Sequence, residues 1–101
     1  MAVRIISRRT LREFWERRGR GDAEQPLRAW FAEASRATWR TPADIKAAYR
    51  TASFVGNDRV VFNVGGNKYR LVVAVKYSAQ LVFIRFVGSH ADYDEIDAGE
   101  V

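Results

Sequence analysis

Cysteine is absent and histidine occurs once, at position 90, in a chain of 101 residues. The first absence removes disulfides, thiolate metal sites and cysteine nucleophiles. The second removes histidine-based zinc sites, which generally take three or four ligands. Long apolar runs are missing too. The longest aliphatic stretch, Leu71 to Val75, falls far short of the ~20 residues that span a bilayer. The opening Met1-Ala2-Val3-Arg4-Ile5-Ile6-Ser7 runs into Arg8-Arg9 with no apolar signal region, so the expected location is cytoplasmic, away from membranes. No internal repeat or low-complexity segment is present.

The remaining composition is that of a folded domain. A hydrophobic fraction of 48% with 13% aromatics argues against disorder, and the length suits one domain, residues 1–101. Lys and Arg outnumber Asp and Glu by 17 to 12, for a net charge of +5 and a pI near 10.1. An acidic partner is favoured, although charge alone does not separate nucleic acid, acidic protein and anionic membrane.

The most informative stretch is Val60 to Asp94. Two alternating runs meet at Gly65-Gly66, and a glycine pair supplies the positive φ angles of a two-residue primed turn. That turn predicts pairing of Val64 with Asn67, Asn63 with Lys68, Phe62 with Tyr69 and Val61 with Arg70. One face then carries Asn63, Lys68 and Arg70, and the other carries Phe62, Tyr69, Leu71 and Val73. A second hairpin follows through Ser78-Ala79-Gln80. Burying Arg85 unpaired would cost on the order of several kcal/mol. Val82, Ile84 and Phe86 are therefore expected in the core, and Arg85 beside Asn63, Lys68 and Arg70. Three cations and an amide on one sheet face suit a polyanionic backbone.

Upstream, Val3 to Ile6 reads as a short strand, and Ser7 as the cap of a helix running to about Arg18, with Leu11, Phe14 and Trp15 inward and Gly19 as its stop. Arg8, Arg9, Arg12, Arg17, Arg18 and Arg20 form either a solvated face or a surface that binds phosphate or a partner. Asp22 with Gln25 resembles a capping box near Pro26. The helix after it carries Leu27, Trp30, Phe31 and Ala34, which cover the sheet in preference to stacking on a base. Thr41-Pro42-Ala43-Asp44 starts a third helix, with Ile45, Ala48 and Tyr49 inward and Lys46 and Arg50 facing a ligand or water. Arg50 to Asp58 is expected as loop, with a turn at Asn57-Asp58. Ser89 with Asp92 caps a terminal helix that puts His90, Tyr93 and Asp94 on one face, and Asp97 to Val101 is expected to fray.

These residue types suffice for RNA cleavage. The ribose 2′-hydroxyl is an internal nucleophile, so a protein need only orient the backbone, move two protons and stabilise an anionic phosphorane. Arg70 and Arg85 suit the phosphorane, with Lys68 as a point charge beside them. His90, with an unperturbed pKa of roughly 6.5, suits either proton transfer. Tyr93 can orient ribose or stack on a base, and Asp94 can hold the imidazole tautomer. Asn63, Asn67, Lys68 and Lys46 are the candidate RNA-binding residues. The same surface would equally serve a non-catalytic RNA- or ribosome-binding module. Direct DNA repression ranks behind both, since no helix-turn-helix pattern is visible.

The run Val61-Phe62-Asn63-Val64-Gly65-Gly66-Asn67-Lys68-Tyr69-Arg70-Leu71, with Ser89-His90-Ala91-Asp92-Tyr93-Asp94 downstream, resembles the HigB family of toxins from type II toxin–antitoxin modules. Ile5-Ile6-Ser7 and Pro42-Ala43-Asp44-Ile45-Lys46 extend the resemblance over nearly the whole chain; Ser89 stands where threonine is expected. The resemblance implies a RelE-like α+β fold, a small antiparallel β-sheet with helices packed on one face. It also implies a ribosome-dependent mRNA endonuclease acting in the 30S A site without metal or cofactor. The implied partner is a HigA-type antitoxin whose helix-turn-helix domain provides the only route to DNA. The family pattern falls on Asn63, Asn67, Lys68, Arg70, His90, Tyr93 and Asp94.

Overall fold

The computed structural model describes residues 2–101, and Met1 lies outside it. The strands are β1 (Arg4–Ile6), β2 (Ser53–Val55), β3 (Arg59–Val64), β4 (Tyr69–Lys76) and β5 (Leu81–Ser89). The helices are α1 (Arg8–Trp15), α2 (Glu24–Ala34), α3 (Pro42–Ala48) and α4 (His90–Asp94). One five-stranded sheet runs in the order β1-β5-β4-β3-β2. Its four-stranded part is antiparallel as expected, but β1 joins the β5 edge in parallel, so the sheet is mixed. The fold is α+β and RelE-like. No helix among the described residues is long and apolar enough to cross a membrane.

The alternation of β4 divides the molecule. Tyr69, Leu71, Val73 and Val75 point into the helix layer, where they meet Leu11, Phe14, Leu27, Trp30, Trp39 and Ile45. Phe62 lies at the centre of this core, only 2% exposed. Its ring stacks on Trp39 at 6.1 Å and takes the edges of Trp30 at 5.4 Å and Tyr49 at 5.0 Å. Trp30 is itself only 3% exposed, so it is a core residue with no ring face open to a base. Ile45 is buried as expected, whereas Ala48 is exposed.

Three local expectations change. The first hairpin closes with a four-residue loop, because Val64 pairs with Tyr69 and Asn63 with Arg70. Gly65, Gly66 and Asn67 all have positive φ (64°, 61° and 75°), which a two-residue turn does not accommodate. The shift is by two residues, so the side chains that stay in β3 and β4 keep their faces, while Lys68 drops out of the strand into the loop. Second, a register shift between Val72 and Val73 makes Ile84 pair with Val73 but Phe86 with Val72. The alternation of β5 therefore reverses at Arg85. Phe86 leaves the helix-side core for the far face, and Val87 takes its place. Third, Ser53–Val55, inside the expected loop, is strand β2, and the Asn57-Asp58 turn (φ 62° and 58°) leads from it into β3.

At the chain end, Asn57 Nδ2 donates to the Gly99 carbonyl at 2.7 Å and Arg59 Nε to that of Val101 at 2.9 Å. Ala98 is buried against Val61 and Val72, with Phe86, Tyr93, Ile96 and Val101 around them. The tail expected to fray instead covers part of the far face.

Candidate active site

The site builds outward from Arg70. On β4 it stands between Asn63 of β3 and Gly88 of β5, its direct cross-strand partners. Its Nη1 donates to the Asn67 carbonyl at 2.9 Å and to that of Tyr69 at 3.4 Å, which folds the half-buried guanidinium toward the hairpin loop. Asn63 Nδ2 reaches the Thr51 carbonyl at 3.5 Å. Gly88 is bare where the strand meets α4. A Cβ there would come within 2.6 Å of Cζ of the Phe86 ring and 3.0 Å of Asp92 Cβ, so any side chain would force α4 or Phe86 to move.

Directly after Gly88 the strand becomes a helix. Ser89 Oγ accepts from the Asp92 N–H at 3.1 Å, and the Asp92 carboxylate accepts from the Ser89 N–H at 3.2 Å, a reciprocal cap that fixes where α4 begins. The Asp92 carboxyl is held below its ordinary pKa, first by the Ser89 N–H, then by the Ser89 hydroxyl, with smaller help from Arg20 and Arg17. His90 is the first residue of α4, and its Nδ1 lies 3.3 Å from Oδ2 of Asp94. Both side chains are open to solvent, 57% and 64% exposed. Only Ser89 separates Gly88 from His90, so their Cα atoms lie within ~7 Å of each other. Tyr93 packs against the far-face apolar cluster.

The other proposed residues sit apart from this group. Arg85 is exposed at the reversal in β5, without a cross-strand partner in the register. Lys68 is not opposite Asn63 but in the loop. Its ammonium pairs with Asp22 and lies 5.7 Å from the centre of the Tyr69 ring. Lys46 is tied to the Ala52 carbonyl at 2.8 Å.

Sequence reasoning missed Asp22, which it placed in a helix cap. Glu24 in fact starts α2 after a 3-10 turn at Gly21–Ala23, leaving the Asp22 carboxylate to accept from both Lys68 and the Tyr69 hydroxyl. Those two donors hold the Asp22 carboxyl below its ordinary pKa, and the carboxylate in turn raises that of Lys68. Arg20 lies 6.0 Å from the centre of the Tyr69 ring and contributes to the field at Asp92. The only signal in the sequence was the local density of opposite charges around Arg18-Gly19-Arg20-Gly21-Asp22.

The family model for HigB toxin, the RelE-like toxic component of a toxin-antitoxin system, matches residues 23–96, a span that contains the hairpin, the β5 reversal and α4. The chain belongs to the HigB toxin family. Among curated relatives, the mRNA interferase toxin HigB of Escherichia coli (strain K12) is 38% identical over 58 residues, 55% of this chain and 56% of the relative. The mRNA interferases HigB of Escherichia coli O157:H7 and Shigella flexneri match to the same extent. The chain spans about half the length of the curated relatives it matches.

Proposed function

We propose that this chain is a ribosome-dependent mRNA endonuclease, the toxin of a type II toxin–antitoxin module, cleaving translated mRNA without metal. The relatives' description as mRNA interferases supports the activity. The observation that carries the chemistry is Arg70 standing between Asn63 and Gly88, with His90 opening α4 just beyond.

In this reading the 2′-oxygen attacks the adjacent phosphorus, its proton passes to a base, and the P–O5′ bond breaks as the 5′-oxygen receives a proton. The products are a 2′,3′-cyclic phosphate and a 5′-hydroxyl. Arg70 binds the non-bridging oxygens as they gain charge, and Arg85, set apart at the β5 reversal, adds positive charge along the RNA path. Asp94 beside Nδ1 of His90 leaves Nε2 to exchange a proton with substrate. Tyr93 orients the ribose. Asn63, Asn67, Lys68 and Lys46 track the RNA, with Lys68 first exchanging its Asp22 partner for phosphate. The exposure of His90 and Asp94 supports dependence on the ribosome, since a site so open excludes no water by itself and gains its substrate orientation from the decoding centre. The fitting antitoxin is of the HigA type, with a helix-turn-helix domain.

The same exposure also fits a module that binds RNA or the ribosome without cutting. Expression without a partner, followed by primer-extension mapping of 5′ ends in translated mRNA, separates the two. New ends that weaken in His90→Ala support cleavage, whereas arrested translation with intact mRNA overturns it.

A further inference from the structure

The helix layer carries a groove of about 450 Å3 between α1 and α2, lined by Arg8, Leu11, Trp15, Arg28, Phe31 and Arg36 together with Ala32 and Ser35. Leu11 and Trp15 close its floor, while Phe31 and Ala32 are the parts open to an incoming group. The rim is cationic. Arg8 lies 5.7 Å from the centre of the Phe31 ring and Arg28 lies 5.1 Å from that of Trp15, so guanidiniums stand directly over the apolar floor. A second, smaller depression lined by Arg8, Arg9 and Arg12 continues along α1.

Not all of this charge is spent within the chain. Arg28 pairs with Glu24 at 2.8 Å and Arg9 with Glu13 at 2.9 Å, whereas Arg8, Arg12 and Arg36 meet no carboxylate among the described residues. Two unpaired guanidiniums on the rim, Arg8 and Arg36, with Arg12 farther along α1, match a segment that presents apolar side chains flanked by carboxylates. A phosphodiester strand uses the cations but gains nothing from the floor. The groove also lies in the helix layer, across the sheet from Arg70.

We infer that the α1–α2 groove is the docking site for an acidic amphipathic segment of the antitoxin, with apolar side chains against Phe31 and Ala32 and carboxylates on Arg8 and Arg36. This rests on the toxin reading and adds to it the surface and the chemistry of the contact. None of these residues belongs to the proposed cleavage group.

The test uses the full chain and the purified antitoxin of its own module, titrated against wild type, Arg8→Glu/Arg36→Glu and Phe31→Ser. Melting curves confirm that each variant folds. The charge reversal is expected to weaken antitoxin binding at least tenfold and to flatten its salt dependence, and Phe31→Ser to weaken binding without changing the salt dependence. Wild-type affinity in both variants overturns the assignment. So does unchanged antitoxin binding with reduced binding of a single-stranded 12-nucleotide RNA, which would give the groove to RNA. Growth inhibition by each free protein is scored separately. A wild-type chain that inhibits no growth defeats the toxin reading, while the titration still decides the groove.

Discussion

The two faces of the sheet are built from the same alternating strands and are held by different physics. On β4, Leu71, Val73 and Val75 are buried in a dense aromatic and aliphatic core under α1, α2 and α3. Their neighbours Arg70, Val72, Ala74 and Lys76 point to the far face, where α4 and the pinned chain end cover Val72 and leave Lys76 exposed. Packing dictates the first face, and a change there is felt as lost stability. The second keeps a half-buried guanidinium and an exposed imidazole, held by a few hydrogen bonds. With the proposed cleavage role at Arg70, stability and chemistry fall on alternate residues of one strand, so substitutions can separate them.

The largest stability effect belongs to the packed face. Phe62→Ala removes a ring that meets three other aromatics and is expected to cost ~3–5 kcal/mol in urea unfolding. Lys76→Ala, at an exposed position on β4, should stay within about 0.5 kcal/mol. Comparable losses at the two positions would break the comparison.

Gly88→Ala sharpens it at the seam. The added methyl meets Phe86 and Asp92, so a loss of ~1–3 kcal/mol is expected, together with weaker mRNA cleavage as α4 is pushed from Arg70. Full stability with full cleavage would mean that Phe86 swings aside freely and that the fit at Gly88 does not position α4. Ser89→Ala removes the side-chain half of the α4 cap, for about 1 kcal/mol, read as faster amide exchange at Asp92.

Smallest is the pH response. The folded-state pKa of Asp22 is depressed below its ordinary 3.8, so its contribution is fully present above that value and fades as pH falls through the lower one. Lys68 is raised, so its contribution is full below its ordinary 10.5 and fades as pH rises through the higher value. Asp22→Asn should lower the middle of the stability–pH curve slightly and leave both extremes nearly unchanged, so that the acid and alkaline limbs flatten. An acid limb as steep as wild type would assign it to other carboxylates, with Asp92 the first candidate.

The hairpin faces were legible because a period of two survives an error in loop length. Mispairing Asn63 with Lys68 in place of Arg70 shifts the register by two residues and leaves the faces of the strand residues intact, losing only Lys68 to the loop. The β5 reversal was not legible by the same logic, because one extra residue at Arg85 inverts everything after it and alternating hydrophobics fit either side. Gly88 inside a strand was the one local hint of a close approach. The pinned tail and the Asp22 contacts join residues more than forty positions apart, beyond the reach of any spacing rule. Both caps that start α3 and α4 were legible, because a capping box is complete within four residues.

Arg70→Ala tests the division between the faces most directly, with growth inhibition, primer-extension mapping of cut mRNA and a melting curve measured on the same variant. Loss of cleavage and toxicity with a melting temperature close to wild type is the predicted result. A folded variant that still cuts mRNA at the wild-type rate would remove Arg70 from the chemistry and leave the far face without its proposed role.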